Sequence, residues 1–410
     1  MAGLSWRRRT WHSSGSSSLH NRLRVAVVAD YLEEGWPSMD LVADMLMDRL
    51  RRDHSMTVEA TLIRPRMPRR LTRVPGLARD RRAFGVDRVL SRILDYPRVL
   101  AAQSASFDVF HVVDHSYANL VHRLPAARTL VTCHDLDAFR CVLYPELEPC
   151  STPFRRITCH IFAGLRKAAH IACDTSATRD ALVSRAGISE ERTSVVHNGP
   201  HPSCTPMPDG TAELEAGRLL GPRGRLDLLH VGSTIPRKRI DVLLRVFAAV
   251  RETEPEARLL RVGGPFTGAQ RALARELGVD RHVTVLPFVD RATLAAIYRR
   301  SDLLLLTSER EGFGLPVLEA LACGTAVVAS DIPALREVGG TAAEYAPVDH
   351  VSAWTSTILR LVGERDTQAS RWRARHSAAV AWAAEFSWCR YTREAVALYC
   401  RLAGSPQLAC

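Results

Sequence analysis

The sequence predicts an α/β protein made of two doubly wound parallel sheets, each covered by helices, facing one another across a cleft. Three observations lead there. Short apolar, β-branched runs alternate with stretches of helical periodicity along most of the chain, the pattern of strands buried on both faces and joined by helical crossovers. The alternation lapses once, between residues 200 and 224, into Pro200, Pro202, Pro206, Pro208, Gly210, Gly217, Gly221, Pro222 and Gly224, which is linker composition. Finally, 410 residues with 46% hydrophobic and 24% charged positions suffice for two or three ordinary globular cores.

The elements follow in order. Arg22 to Asp30 (RLRVAVVAD) is a buried strand, followed by a turn carrying Glu33, Glu34, Gly35 and Pro37, and then a helix from Met39 to Leu50. Further strands read at Val58 to Ile63, Val109 to Val113, Thr129 to Thr132, His170 to Cys173 and Ser194 to His197, with helices near 85–103, 155–167 and 176–186. Beyond the linker, strands read at Leu226 to Val231, Arg258 to Val262, Val283 to Pro287, Leu303 to Thr307 and Ala326 to Ala329. Helices read at 239–252, 267–277, 291–300, 316–322 and 350–364. The domains are therefore expected at 23–203 and 225–385, with a disordered basic tail at 1–22, a linker at 204–224 and a last helix within 386–410. Ligands of such sheets sit at the carboxyl ends of the strands.

The net charge of +11 invites a nucleic-acid or membrane reading, but it is unevenly spread. Residues 1–22 contribute four arginines and no acid, and residues 64–98 contribute eleven arginines against Asp80, Asp87 and Asp95, which leaves 11 − 4 − 8 = −1 elsewhere. Of the 55 basic residues only Lys167 and Lys238 are lysines, so arginine abundance alone says little. No run approaches the ~18 apolar residues of a membrane span. Arg7-Arg8-Arg9 is followed by Ser, Gly and His and not by the apolar segment of a secretion signal. The ten cysteines show no metal spacing and read as reduced thiols of a cytoplasmic protein.

Two stretches carry chemistry. In Ser308-Glu309-Arg310-Glu311-Gly312-Phe313-Gly314-Leu315-Pro316-Val317-Leu318-Glu319-Ala320 an apolar strand runs into a Gly-x-Gly turn and then a helix. Small residues let backbone amides approach a ligand, and the helix start favours an anion. Val317 stands where a dinucleotide fingerprint needs its third glycine, and no P-loop occurs. Glu311 and Glu319 flank the turn, and carboxylates accept the paired hydrogen bonds that sugar hydroxyls donate. The second stretch, His230-Val231-Gly232-Ser233-Thr234-Ile235-Pro236-Arg237-Lys238, is again strand, glycine turn and basic cluster. A lysine kept in so lysine-poor a chain marks a site for a compact point charge, as at a phosphate.

With these residues the sequence resembles the retaining glycosyltransferases of family 4, also called glycosyl transferases group 1, which have the GT-B fold. Glu311 and Glu319 fit that family's two-glutamate motif, Pro236-Arg237-Lys238 its Pro-Arg-Lys turn, and Ala322 to Ser330 with Pro333 and Glu337 the segment after the second glutamate. Arg261-Val262-Gly263-Gly264, Val285 to Val289, Thr132-Cys133-His134-Asp135, Asn198-Gly199 and Phe386-Ser387-Trp388 fit its strand ends, its turn before the linker and its closing element. The resemblance implies an N-terminal acceptor-binding domain, a C-terminal nucleotide-sugar-binding domain and a last helix packing back on the former.

The resemblance also implies roles. Arg237 and Lys238 would neutralise the donor diphosphate without a metal or other cofactor, the nucleotide-sugar being a substrate. Gly312, Phe313, Gly314, Leu315 and Ser233 would line the donor, with Glu311 on the sugar, Glu319 on the ribose and Val289 near the base. His134 would face the reaction from the N-terminal domain, with His115 and Gly35 on the acceptor side. The chain departs from the family at Glu33-Glu34-Gly35-Trp36-Pro37-Ser38, where many members have a glycine-rich turn.

The implied activity is sugar transfer, of glucose or mannose type, from a nucleoside diphosphate sugar to a glycan, lipid-linked or small-molecule acceptor. A sugar-nucleotide epimerase, a phosphorylase and a silent nucleotide-sugar-binding module are the alternatives. Residues 86–100 can form a helix with Val86, Leu90, Ile93 and Leu94 on one side, and beside the arginines of 64–98 that face suits an anionic membrane surface. No nucleic-acid module is present and no aromatics interleave with the arginines, so nucleic acid is not an expected partner.

Overall fold

The computed structural model of the chain describes residues 22–404; the tail expected at 1–22 lies, Arg22 apart, outside the described residues. The first sheet holds β1 (Leu23–Val28), β2 (Val58–Ile63), β3 (Val109–Val112), β4 (Thr129–Cys133), β5 (His170–Cys173) and β6 (Thr193–Val195). The second holds β7 (Leu226–Val231), β8 (Ala257–Val262), β9 (Val283–Leu286), β10 (Leu303–Leu306), β11 (Ala326–Ser330) and β12 (Glu344–Ala346). Every pairing is parallel. The spatial orders are β2-β1-β3-β4-β5-β6 and β12-β11-β10-β7-β8-β9. The direction of strand progression therefore reverses between β1 and β3 in one sheet and between β7 and β10 in the other. Open α/β sheets bind their ligands outside the strand ends at such a point.

Each sheet is buried on both faces, as its runs of valine and leucine require. In the N-terminal domain Ala26, Val28, Phe110, Val112, Val131 and Ile171 face one cluster, while Val25, Val27, Val109 and Leu130 face another. The second cluster is completed by Trp388, Tyr391, Ala395 and Tyr399 of the helix Trp388–Leu402, so the last helix packs on the N-terminal domain and on the helix Pro37–Asp53. The Trp388 indole N–H donates to the Pro200 carbonyl at 2.9 Å and fixes the crossover. No helix among the described residues is long and apolar enough to cross a membrane.

The apolar runs anticipate every strand but β12, whose three residues are too few to show a pattern. Residues 204–224, expected as linker, carry the helix Gly210–Leu220. Asp209 caps it through the Thr211 and Ala212 N–H groups, and Ala212, Ala216 and Leu220 bury one face against the C-terminal core. The glycines that suggested a loop are tolerated because this face and cap outweigh their propensity cost. The helix Ala369–Ala383 is also unannounced, since its alanine- and arginine-rich sequence has little periodicity.

The basic segment is helical where expected, with one wider turn inside it. It forms the helix Arg81–Leu90, a wide five-residue turn Ser91–Asp95 and the helix Tyr96–Ala101. The buried positions are Ala83, Asp87, Ser91, Tyr96, Pro97 and Leu100, while Val86 and Leu94 are 44% and 41% exposed. Asp87 sets this orientation. Its carboxylate accepts from the Arg70, Leu71 and Thr72 N–H groups at 3.1, 2.9 and 3.0 Å and from the Thr72 hydroxyl at 2.7 Å, tying the preceding loop to the helix.

Candidate functional site

The two sets of strand ends meet. From the C-terminal domain come the turn after β7 and the loop after β10, laced together by backbone. Glu309 N–H donates to the Arg237 carbonyl at 2.9 Å, and the Thr307 hydroxyl donates to the Lys238 and Arg239 carbonyls at 3.1 and 3.2 Å. Arg239, with φ of 48°, takes the left-handed conformation that closes the turn, a strained state for a non-glycine residue that the surrounding bonds maintain. This places Lys238 Nζ 2.5 Å from Glu311 Oε1, which also accepts from the Ser308 hydroxyl at 2.7 Å. Arg237 lies 3.4 Å from Glu311 Oε2.

Across the cleft, Arg237 reaches Asp137 at 2.9 Å and Asp135 at 3.5 Å, both in the loop after β4, and Arg310 pairs with Asp137 at 3.1 Å. Burial opposes the charge of Arg237, yet Glu311, Asp135 and Asp137 together raise its pKa. Burial and the neighbouring Asp135 raise that of Asp137.

Gly312 is pressed directly against the N-terminal domain: a Cβ there would lie 1.8 Å from the His134 carbonyl oxygen. Only glycine fits, and its own carbonyl accepts from the Thr175 hydroxyl at 2.9 Å. Leu315 packs on the cores of both domains. Gly314, with φ of 97°, makes the left-handed turn into the helix Leu315–Ala322, and Phe313 is buried beside Phe386 and His197. Glu337 closes the same seam, accepting from the Ser176 N–H at 2.9 Å, where it caps the helix Ser176–Ala186, and lying 2.7 Å from His197 Nε2.

His134 stands at the end of β4, 5% exposed. Its Nδ1 lies 2.7 Å from Asp174 and its Nε2 2.7 Å from the Val113 carbonyl, so the ring clamps three neighbouring strand ends. Burial works against its charge, but the Asp174 and Asp114 carboxylates and the Val113 carbonyl lift its pKa to about 10. As an imidazolium it donates from both nitrogens. His115 lies alongside, 6.0 Å between ring centroids, its Nδ1 accepting from the His134 N–H at 3.3 Å. Glu319 is 3% exposed. Its Oε2 accepts from the Tyr298 hydroxyl at 3.1 Å and its Oε1 has no hydrogen-bond partner but faces Arg291 at 3.6 Å. Burial raises its pKa.

Ser233 is exposed in the β7 turn, Val289 half-buried after β9, and Gly35, with φ of 66°, ends a short turn before the helix Pro37–Asp53. The unusual first loop is locked from behind, where the buried Glu34 carboxylate pairs with Arg92 and accepts from the Tyr117 hydroxyl at 2.7 Å.

Sequence reasoning passed over Asp30 and Asp114, at the switch point between β1 and β3. The parallel register Val28↔Val112 carries Asp30 alongside Asp114. Asp114 is satisfied by the Ser116 N–H and hydroxyl at 2.7 and 2.6 Å, whereas Asp30, 1% exposed, has no partner on either oxygen. Burial and the adjacent Asp114 push Asp30 up to about 7. A polar residue directly after each apolar run (Asp30, Asp114, His134, Asp174) was the available signal.

Comparison with known proteins agrees with this arrangement. Residues 216–369 match the family described as Glycosyl transferases group 1 and residues 40–203 the family described as Glycosyltransferase Family 4. The D-inositol 3-phosphate glycosyltransferase of Mycolicibacterium smegmatis is 33% identical over 245 residues, covering 57% of this chain and 53% of that protein. Its counterpart in Actinosynnema mirum is 36% identical over 201 residues, covering 45% and 46%. The chain spans about half the length of the curated relatives it matches. Among solved structures, sucrose-phosphate synthase from Thermosynechococcus elongatus superposes with a TM-score of 0.71 at 18% identity, covering 94% of this chain and 100% of that one. HepE of Anabaena in complex with UDP and glucose gives 0.67 at 16% identity, covering 92% and 99%. The two family matches tile both domains around the cleft: residues 216–369 match a glycosyl transferases group 1 domain, residues 40–203 a Glycosyltransferase Family 4 domain, and the fold is that of GT-B glycosyltransferases.

Proposed function

We propose that the chain is a retaining glycosyltransferase, moving a hexose of glucose or mannose type from a nucleoside diphosphate sugar on the C-terminal domain to an acceptor on the N-terminal domain. The observation that carries this reading is the meeting of Lys238, Arg237 and Glu311 with the His134–Asp135 strand end across the closed cleft. When the bond between the anomeric carbon and the phosphate oxygen breaks, negative charge grows on the departing diphosphate. Arg237 and Lys238 stabilise it in a water-poor site, in the role a metal plays elsewhere. Glu311 accepts from the sugar hydroxyls. With retention, the acceptor oxygen attacks on the face the diphosphate leaves, and the acceptor proton passes to the departing phosphate oxygen. Glu319, with an unbonded oxygen, suits the ribose.

The structures of HepE with UDP and glucose support a nucleoside diphosphate donor, and the relatives named for inositol phosphate support a polyhydroxylated acceptor. Asp30 and Asp114 would receive its hydroxyls. Glu311→Ala and Lys238→Ala should each lower turnover at least ten-fold (about 1.4 kcal/mol or more of transition-state stabilisation) with the melting temperature retained. Near-normal activity in both purified variants would sink the assignment. The protein is further proposed to work in the cytoplasm, touching an anionic membrane through residues 64–98. Arg66, Arg69, Arg73, Arg79, Arg81 and Arg82 are exposed there beside Leu71, Val74, Leu77, Val86 and Leu94.

A further inference from the structure

The two cations that the sequence marks are already covered by carboxylates: Lys238 by Glu311, and Arg237 by Glu311, Asp135 and Asp137. A third cation lies directly beneath the same turn. Arg261, on β8, is 0% exposed and has no carboxylate within ion-pair distance among the described residues. Its Nη2 donates to the Gly232 carbonyl at 2.9 Å and its Nη1 to the Gly264 carbonyl, while Nε has no partner. The guanidinium also sits over the Phe266 ring, 5.1 Å from its centroid. A buried, uncancelled charge is costly, and arginine does not escape that cost by losing its proton in the physiological range.

The surroundings add a second observation. Parallel register sets His230 of β7 beside Arg261, and His230 is likewise 0% exposed with neither ring nitrogen bonded. The imidazole lies under Gly232, where a Cβ would be 3.3 Å from its Cε1 and 3.8 Å from Lys238 Cδ. A Cβ on Gly263 would lie 2.0 Å from the Gly232 oxygen, so the two turns are pressed together over this pair. Because a trans peptide is planar, its C=O and N–H point opposite ways. Arg261 draws the Gly232 carbonyl inward, and the Ser233 N–H is thereby turned the opposite way, away from Arg261.

We propose that Arg261 is a positioning residue for the donor's diphosphate: from beneath the β7 turn it orients the Gly232–Ser233 peptide and supplies a positive charge that no carboxylate cancels. The inference rests on the donor reading above. An anion seated on the turn becomes the nearest counter-charge of Arg261, so diphosphate binding is favoured over binding of the nucleoside alone.

The test compares Arg261→Met and Arg261→Lys with the wild type in calorimetric titrations. The ligands are the best binder among UDP, GDP, ADP and dTDP and, separately, its nucleoside. Arg261→Met should weaken the diphosphate at least ten-fold and the nucleoside less than two-fold, with Arg261→Lys staying within about five-fold of wild type for both. Equal losses for diphosphate and nucleoside would mean that Arg261 only cements the turns, and unchanged diphosphate affinity would mean it does nothing for the donor; either overturns the proposal. Should Arg261→Met not fold, Arg261→Lys decides alone, since a loss beyond ten-fold despite the retained charge is also contrary. If the wild type binds none of the four nucleotides, the donor reading fails and this inference with it.

Discussion

Glu311, Lys238 and Arg237 neutralise one another in the closed cleft, so the proposed donor diphosphate would exchange existing ion pairs for its own. Asp30 has no such exchange, since both its oxygens are buried without a donor. Its pKa stands near 7 against an ordinary 3.8, because of burial and the neighbouring Asp114. The unfolded chain therefore releases this proton more readily than the native one, and Asp30 lowers native stability progressively from about pH 4 to pH 7 and fully above it. Asp30→Asn removes the charge, so thermal melts should show the variant gaining on the wild type at pH 8 relative to pH 5. An unchanged difference between the two pH values would contradict this. Glu311, Glu319 and Lys238 were legible in the sequence because glycine turns and lysine scarcity set them apart. Asp30 and Arg261 were not, since what distinguishes them is a lack of partners, which exists only after β1 has met β3 and β7 has met β8.

The loop between β10 and the helix Leu315–Ala322 works as a unit, with its Gly312 pressed on the β4 end and its Leu315 on both cores. Gly312→Ala inserts a methyl 1.8 Å from the His134 carbonyl oxygen, which no side-chain rotation relieves. The variant should keep both domains folded but hold the cleft open, raising the radius of gyration in solution scattering and lowering kcat at least ten-fold. Wild-type values of both would show that closure does not depend on this contact. The strands were readable as elements because sheets buried on both faces need continuous apolar runs. The helix Gly210–Leu220 was not, because its cap at Asp209 and its three small or apolar contacts are hidden among glycines and prolines. The helix in the basic segment was readable, but what holds it down was not, because a buried aspartate, Asp87, ties it to the preceding loop.

At the scale of the molecule, the strand ends of two sheets meet at one cleft, and the helix Trp388–Leu402 fastens the chain back to the N-terminal core. The charge excess is peripheral to that cleft. Arg64, Arg70 and Arg92 are consumed by Asp40 and Asp44, Asp95 and Glu34, which leaves the exposed arginines near Leu71, Val74 and Leu77 for a surface. The protein should co-sediment with vesicles containing anionic phospholipid and not with neutral ones, and the binding should weaken as salt rises. Equal recovery with both vesicle types would remove the membrane contact and leave the cleft chemistry untouched. Retaining sugar transfer is tested by incubating the purified protein with UDP-, GDP-, ADP- and dTDP-hexoses labelled in the sugar, with and without polyol acceptors, beside Glu311→Ala. The nucleoside diphosphate should be released from one donor with the label moved to acceptor in the same anomeric configuration, and the variant should lose at least ten-fold. A label that stays on the nucleotide, or equal transfer by both proteins, would contradict it.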